Sequence, residues 1–528
     1  MVFVPREPFA AALPGLAPPR AVPSDLAIAT VSRIVPGDIA QKLVLLAIFV
    51  LACSGAAALL AREPLAVRIA AGVFYAWNPY VAERLIIGQW ALLLGYAGLP
   101  WVLRAVLAPG LASRRGVARL ALALLPAVIG GFAAMAITAL VAVPAALLSR
   151  DARRAAVTLA GLAVGSLPWL IPSLLHPVYV DPASVAAFAA RADTPFGSVG
   201  SLLMLGGAWN TQTVPKAYGG AWSVLWLAVV ITALAAYLLF ASRLRWPGRS
   251  RRPPGSRWPG RSRPPGSRWP GLGVAAVAGL AIAALGVTAP GRDLLRTLIG
   301  VWPGFAILRD AQQFTAPLAL AEAVGFGLSV AAALNPGPLA RAGLEHPGPF
   351  GHNAPQPGRP ARSDAAGTVL AVVALLAPVL LLPGLAWGAA GRLQSAAYPA
   401  GWLAVTRVLD ASAARGSVLL LPWATYRTPP WNHGETVLDP WTRLLSRPVI
   451  WNDGTRVGAV ALAPDAPQAR GLTGAIDGSG PLTAALRAAG VRFVLDDADA
   501  PDAGVGARLP GSVVIIRQPG LTVYQLPG

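Results

Sequence analysis

Charge is scarce in this 528-residue sequence. Asp, Glu, Lys and Arg together make up 12% of it, against 55% hydrophobic residues and a mean hydropathy of +0.58. A soluble domain carries about twice that charged fraction, so the composition is that of a polytopic membrane protein. The single cysteine, Cys53, excludes an internal disulfide. It lies in "VLAC", a passable lipoprotein box, but roughly forty non-membrane residues precede it where a signal peptide would be short. Cys53 therefore reads as a small residue inside a spanning helix. The four histidines, His176, His346, His352 and His433, lie far apart, so no metal-ligand spacing arises. Walker, dinucleotide-binding and nucleophile-elbow patterns are absent in their required contexts, which argues against an ATP-driven pump. The sequence leaves any cofactor unknown.

Acidic residues are also outnumbered, 23 against 43 Lys and Arg. The excess falls in short segments between apolar runs, the distribution that positive-inside topology produces, and not in a nucleic-acid footprint. Ten apolar runs near the length of a crossing fall at about 39–60, 66–79, 88–107, 118–130, 132–148, 154–172, 222–242, 272–290, 313–334 and 366–388. The fourth and fifth form one stretch split by Gly130-Gly131, with "SRRGVAR" before it and "SRDARR" after it. Both flanks want the cytoplasmic side, which predicts a tight hairpin. The cytoplasmic segments are then 61–68, 108–119, 149–154, 243–271 and 335–365, which hold about twenty Lys or Arg.

The expected architecture is thus an α-helical membrane bundle of about ten spans with an α/β domain outside. Residues 1–38 form an extracytoplasmic loop, 39–388 the bundle and 389–528 the extracytoplasmic α/β domain. Within the bundle, 245–271 is a tandem "RWPGRSRRPPGS", "RWPGRSRPPGS", "RWPG" repeat, read as an expanded cytoplasmic linker. After Gly388 a helix from Ala400 to Ala413, the strands "SVLLLPW", "RPVIW", "VRFVLDD", "SVVIIRQ" and "LTVYQLP", and the helix "PLTAALRAAG" alternate.

Polar groups inside apolar surroundings mark the candidate site. "FYAWNPYVAERLIIGQWALLLGYAGLPW", from Phe74 to Trp101, carries Asn78, Glu83, Arg84 and Gln89 where lipid tolerates none of them. Tyr75, Trp77 and Tyr80 suit an interfacial belt, and Pro79 ends the incoming helix. The junction predicts a water-accessible cavity; an anchoring ion pair is the alternative. The segment "FAARADTPFGSVGSLLMLGGAWNTQTVP" offers Trp209 and Asn210 as sugar contacts on an amphipathic lid, or lies as an ordinary interfacial loop. In "WPGFAILRDAQQF", Arg309 suits a lipid phosphate, or Arg309 and Asp310 orient a helix end. Glu322, within a membrane run, is expected to meet Arg, Gln or water. The loop "WATYRTPPWNHGETVLDPW" is dense in aromatic and polar residues, with Trp423, Tyr426, Arg427 and Trp431 as candidate contacts.

Together, "YAWNPYVAERLIIGQWALLLGYAGLPW", "LGGAWN", "ILRDAQQFTAPLAL" and "LLLPWATYRTPPWN" resemble large actinobacterial membrane proteins related to the GT-C glycosyltransferase superfamily. The resemblance implies a helix bundle with extracytoplasmic reaction loops and transfer of a sugar from a polyprenyl-phosphate donor to an envelope lipid or glycan acceptor. Its partners would be the lipid bilayer, that donor and that acceptor, with no nucleic acid. Such chemistry needs a carboxylate to take the acceptor's proton and cations to stabilise the leaving phosphate. Glu83 is a secondary acid in this scheme, and Arg84 and Arg309 are phosphate contacts. The superfamily's essential acid usually follows a first membrane helix, whereas here "MVFVPREPFAAALPGLAPPRAVPSDLAIATV" has the look of that loop with no helix before it. Either the true start lies upstream, or Glu7, Asp25 or Asp38 serves, or transfer is absent. A non-catalytic envelope protein or a lipid-linked-glycan transporter is the rival reading.

Overall fold

A computed structural model describes residues 3–8, 23–175, 179–216, 218–240, 270–334, 365–497 and 503–528. The repeat linker and the 335–365 loop expected above fall almost wholly outside the described residues, as do His176, His346 and His352. After a short helix α1 (Ser24–Val31), the apolar runs fold as α2 (Gly37–Leu59), α3 (Leu65–Ala76), α4 (Pro79–Ile86), α5 (Trp90–Leu107), α6 (Arg114–Leu147) and α7 (Ala152–Leu175). Two short helices, α8 (Ser184–Ala187) and α9 (Gly197–Leu203), precede α10 (Trp222–Phe240), α11 (Pro270–Ala284), α12 (Ala289–Val301), α13 (Ala316–Leu334) and α14 (Ala365–Leu381).

Six helices among the described residues are long and apolar enough to cross a membrane: α2, α5, α6, α7, α10, and α13 with the turn leading into it. Two bent pairs, 271–301 and 372–391, raise the number to eight. The protein is therefore a multi-pass membrane protein; among the described residues the count is six to eight, against the ten runs of the sequence. Helix α3 has only 12 residues, and the fourth and fifth runs are joined in α6. Cys53 sits within α2 and packs against Gly72 of α3, as a small spanning-helix residue should.

Straight, the 34 residues of α6 would reach about 50 Å. Instead Gly131 (φ 77°, ψ −152°) breaks it, and both arms return to one corner. Near the start of the first arm, Arg119 donates to the Pro109 carbonyl (3.4 Å). Just beyond the second arm, Arg154 donates to the carbonyls of Leu107 (3.3 Å) and Ala108 (3.5 Å). The apex lies at the other end of α5, where a Cβ on Gly130 would stand 2.4 Å from the Ala91 carbonyl oxygen. Helix α5 thus lies along a helical hairpin, whose Phe132 stacks on Trp169 of α7.

The last 130 residues or so form a layered α/β unit. Strands β1 (Ser417–Leu421), β4 (Val449–Ile450) and β7 (Val491–Asp496) run parallel, and β9 (Leu521–Gln525) and β8 (Val513–Gln518) continue the sheet antiparallel, in the order β4-β1-β7-β9-β8. Two small hairpins complete the strands, β2 (Tyr426–Arg427) with β3 (Val437–Leu438) and β5 (Arg456–Val457) with β6 (Val460–Ala461). The period-2 alternation of strands divides the core. Val418, Leu420, Phe493 and Leu495 face α15 (Ala400–Ala411) and Trp441. Leu419, Leu421 and Val494 face α16 (Pro467–Asp477) and α17 (Thr483–Ala488). Val4, more than 400 residues earlier in the chain, is buried in the first of these cores.

Gly131→Ala tests the hairpin. Its backbone angles suit glycine alone, so alanine there should cost on the order of 1–3 kcal/mol, read as a melting temperature several degrees lower in detergent; an unchanged melting curve would contradict a fixed break at this residue.

Candidate active site

The junction between α3 and α5 is built by hydrogen bonds that a buried turn cannot leave unmade. Asn78 caps α4, its Oδ1 accepting from the Val81 amide (3.1 Å), and Pro79 fills the first helical position where no donor is needed. Its Nδ2 donates to the carbonyls of Phe74 and Tyr75 and to the Tyr96 hydroxyl, each at 3.0 Å. Pro100 cannot donate to the Tyr96 carbonyl, and the Tyr75 hydroxyl donates to it instead (2.7 Å), while Tyr96 returns the bond to the Tyr75 carbonyl (2.7 Å). The two rings stack at 4.2 Å. Tyr75 and Tyr80 are therefore fully buried core residues and not members of an interfacial belt; their hydroxyls find partners inside, Tyr80 on the Gln313 carbonyl (3.0 Å).

This frame holds Glu83, 2% exposed, against Asp193 from the loop before α9, close enough for their carboxyls to share a hydrogen bond. Asp193 rests in a glycine cradle. Its Oδ2 accepts from the amides of Gly207 and Ala208 (3.0 Å to the latter), and Ser201 Oγ accepts from the backbone amides of Asp193 (3.0 Å) and Thr194 (3.1 Å). Gly207 has φ +93°, and a Cβ on Gly206 would meet the Tyr218 ring at 2.9 Å and Asp193 Oδ2 at 3.0 Å. The "LGGAW" stretch therefore consists of the residues that let backbone reach the carboxylate. Burial raises both acids, and the Asp193 charge raises Glu83 further, while the Gly207 amide and the Glu83 carboxyl pull Asp193 back down. These directions favour the proton on Glu83 over Asp193.

Beside the pair, Arg84 donates to Gln89 Oε1 (3.2 Å) and lies 3.7 Å from Asp310, while Gln89 Nε2 donates to Asp310 (3.2 Å). Adjacent residues on a helix point apart, so Glu83 and Arg84 do not make the anchoring pair of the alternative reading but engage separate partners. Arg309 donates to Ser184 Oγ (3.3 Å) and lies over the Phe188 ring, against which Trp209 packs edge-on. Asn210 caps its own short turn at Gln212. Glu322 is fully buried, and neither carboxylate oxygen finds a hydrogen-bond partner among the described residues.

Gln89 also lines a polar cavity of about 270 Å³ between the bundle, the residue 3–8 segment and the α/β unit. Its walls carry Glu7, Asp25, Trp90, Tyr426, Thr436 and Arg443. Asp25 binds Arg443 through both oxygens (3.1 and 3.2 Å), so it is a tether between distant segments. Asp38 is exposed and pairs with Lys42 (3.4 Å), and it lines neither the cavity nor the carboxyl pair. Arg427 spends its guanidinium on Asp497 and Asp439, with Trp441 Nε1 donating to the same Asp497 (2.8 Å); it braces the loop that carries Tyr426. Trp431 packs with Tyr398 and Trp402, and Trp423 packs beneath the sheet. His433 contacts the Ser395 carbonyl. The structure thus joins Glu83, Arg84, Gln89 and Asp310, adds Tyr426 through the cavity and Trp209 with Arg309 through Phe188, and brings in Asp193, which the sequence reading missed.

Glu7 gives this corner a pH dependence. Burial, and then Asp25, push its carboxyl up to about 8, against the pull of Arg443. Between its ordinary value and about 8 the folded protein holds a proton that the unfolded chain releases, so stability falls as pH rises through that window. Melting temperatures measured from pH 5 to 9 should fall, and Glu7→Gln should flatten the slope; an identical slope in the variant would count against this assignment.

No protein-family profile matches the chain, and no curated protein matches it in sequence. Among solved structures, its fold is similar to part of the arabinofuranosyltransferase AftD from mycobacteria. One cryo-EM structure of that protein aligns with a TM-score of 0.54 at 17% identity, covering 100% of this chain and 38% of that one. A mutant of the same protein aligns with a TM-score of 0.55 at 18% identity, covering 97% and 37%. The chain therefore spans less than two fifths of the length of the structures it matches. The likeness is one of fold, and it agrees with the GT-C resemblance carried by the junction and cradle motifs.

Proposed function

We propose that this protein is a membrane glycosyltransferase of the cell envelope, moving a sugar from a polyprenyl-phosphate donor to an envelope lipid or glycan acceptor. The observation that carries the reading is the Glu83–Asp193 carboxyl pair on its glycine cradle, with the chain just after Glu83, from Ile86 to Trp90, lining a polar cavity under the α/β unit. The AftD fold likeness supports it. In the reaction, Asp193 takes the proton of the acceptor hydroxyl as its oxygen attacks the anomeric carbon. The bond from that carbon to the donor phosphate breaks, and the lipid phosphate departs toward Arg309. Glu83, protonated, donates its hydrogen bond to Asp193 and holds it in place. Gln89, Trp90 and Tyr426 supply amide and aromatic groups suited to sugar hydroxyls and ring faces in the cavity. We place this end of the bundle, with residues 389–528, outside the cytoplasm, and read the remaining apolar runs as crossings to about ten, on the positive-inside balance.

Purified protein in nanodiscs, given a polyprenyl-phosphate pentose and an oligosaccharide acceptor, should extend the acceptor and release polyprenyl phosphate. Asp193→Asn should lower kcat by about 100-fold or more and Glu83→Gln by less, without loss of folded protein. Full activity in Asp193→Asn would remove it as base; donor crossing the bilayer with no extended acceptor would favour a transporter. Sidedness has its own test. With Cys53→Ser as background, a cysteine at Ser446 should react with an impermeant maleimide on intact cells, and one at Ala112 only after permeabilisation; the reverse pattern would invert the topology.

A further inference from the structure

Along α5, from Leu94 near the junction to Ala108 at the opposite corner, an apolar cavity of about 900 Å³ opens between α5 and the first arm of α6. Leu51, Leu94, Trp101, Ala105, Leu122 and Leu125 are among its walls, and no acidic residue lines it. Leu122 and Leu125 are 71% and 48% exposed, so the groove faces outward. Its only charged lining residues are Arg104 and Arg119. The Trp101 indole donates to the Leu51 carbonyl (3.0 Å), which fixes its ring, and the Arg104 guanidinium lies 6.0 Å from that ring. Arg104 enters no ion pair among the described residues. Arg119 uses Nε and one Nη on backbone carbonyls at Arg115 and Pro109, which leaves the rest of its five donors to bind elsewhere.

We infer that this groove is a site for an anionic glycerophospholipid, with an acyl chain along the apolar wall and the phosphate held by Arg104 and Arg119. Charge complementarity selects the occupant: two cations with no lining acid close an otherwise apolar slot, and arginine forks suit phosphate oxygens. Length agrees, because Leu94 to Ala108 on α5 rises about 21 Å, enough for a chain reaching the bilayer midplane at about 15 Å. Position separates this lipid from a donor. Arg104 lies fifteen residues along α5 from Gln89, a rise of about 22 Å away from the end where Gln89 and Asp310 meet, so a phosphate here is not the one displaced beside Arg309. The lipid is instead a structural ligand at the corner where Arg154 and Arg119 cap the end of α5.

Native mass spectrometry of the purified full chain, titrated with phosphatidylglycerol or phosphatidylcholine, tests the assignment. The wild type should retain one phosphatidylglycerol under collisional activation that strips phosphatidylcholine. Arg104→Gln with Arg119→Gln should weaken phosphatidylglycerol at least fivefold and abolish the preference. Ala123→Phe, which fills the groove and leaves both arginines, should lose the retained lipid altogether, and it tests the site should the double variant not fold. Equal retention of the two lipids by the wild type would overturn the proposal, as would wild-type retention in either variant. Displacement by a polyprenyl phosphate in preference to phosphatidylglycerol, or a dimer that covers the groove, would overturn it too. None of these readouts depends on glycosyl transfer.

Discussion

The reciprocal bond between Tyr75 and Tyr96 is the constraint on which the rest of the structure depends. Each hydroxyl satisfies the other's backbone carbonyl, and Asn78 binds both partners. Where water is scarce, an unsatisfied carbonyl or amide costs several kcal/mol, so this arrangement is what allows a short helix to turn back between α3 and α5 at all. Once that turn is fixed, α4 has one orientation. Glu83 must then face the Asp193 cradle, and Arg84 must face Gln89 and Asp310. The placement of these polar groups is a consequence of how a polar turn is made tolerable inside apolar surroundings.

A second tier of contacts converges on the same end. The 179–216 loop meets the α/β unit where Asp181 accepts from the Ala463 amide (3.0 Å) and Arg470 lies over the Tyr179 ring. The segment before α2 is bound by Asp25 to Arg443 and by Val4 in the sheet core. These contacts put a roof over the cavity, and its walls come from four separate stretches of chain. A cavity assembled from separate stretches excludes bulk water better than one loop can, which strengthens every charge interaction inside it.

Much of this was legible in the sequence, and the rest was hidden for definable reasons. Each apolar run became a helix because hydropathy is a local property, and Gly130-Gly131 marked the break because a backbone with positive φ announces itself as glycine. The strands "SVLLL" and "VRFVLD" followed from their composition. Asp193 escaped notice because its partners are backbone amides fourteen and fifteen residues away, which leave no side-chain pattern; the glycines of "LGGAWN" were the available signal. Asp25 and Arg427 looked functional because charge in a loop is conspicuous, while their partners Arg443, Asp439 and Asp497 lie too far along the chain for spacing to reveal. Tyr75 and Tyr80 looked interfacial because aromatics at the ends of apolar runs are enriched at membrane interfaces, and only the three-dimensional supply of acceptors shows why they are inside.

The tether between Asp25 and Arg443 joins residues 418 positions apart, and that span sets an order of assembly. At about 5–20 residues per second, a ribosome needs on the order of 20–80 s to make the second partner after the first. Throughout that interval the Val4 segment has no core to enter, the α/β unit lacks part of its filling, and the cavity has no roof. The bundle helices must therefore pack before the polar cavity is enclosed. A chain stalled before Tyr426 would carry the bundle's side of that cavity without the wall that Tyr426, Thr436 and Arg443 supply.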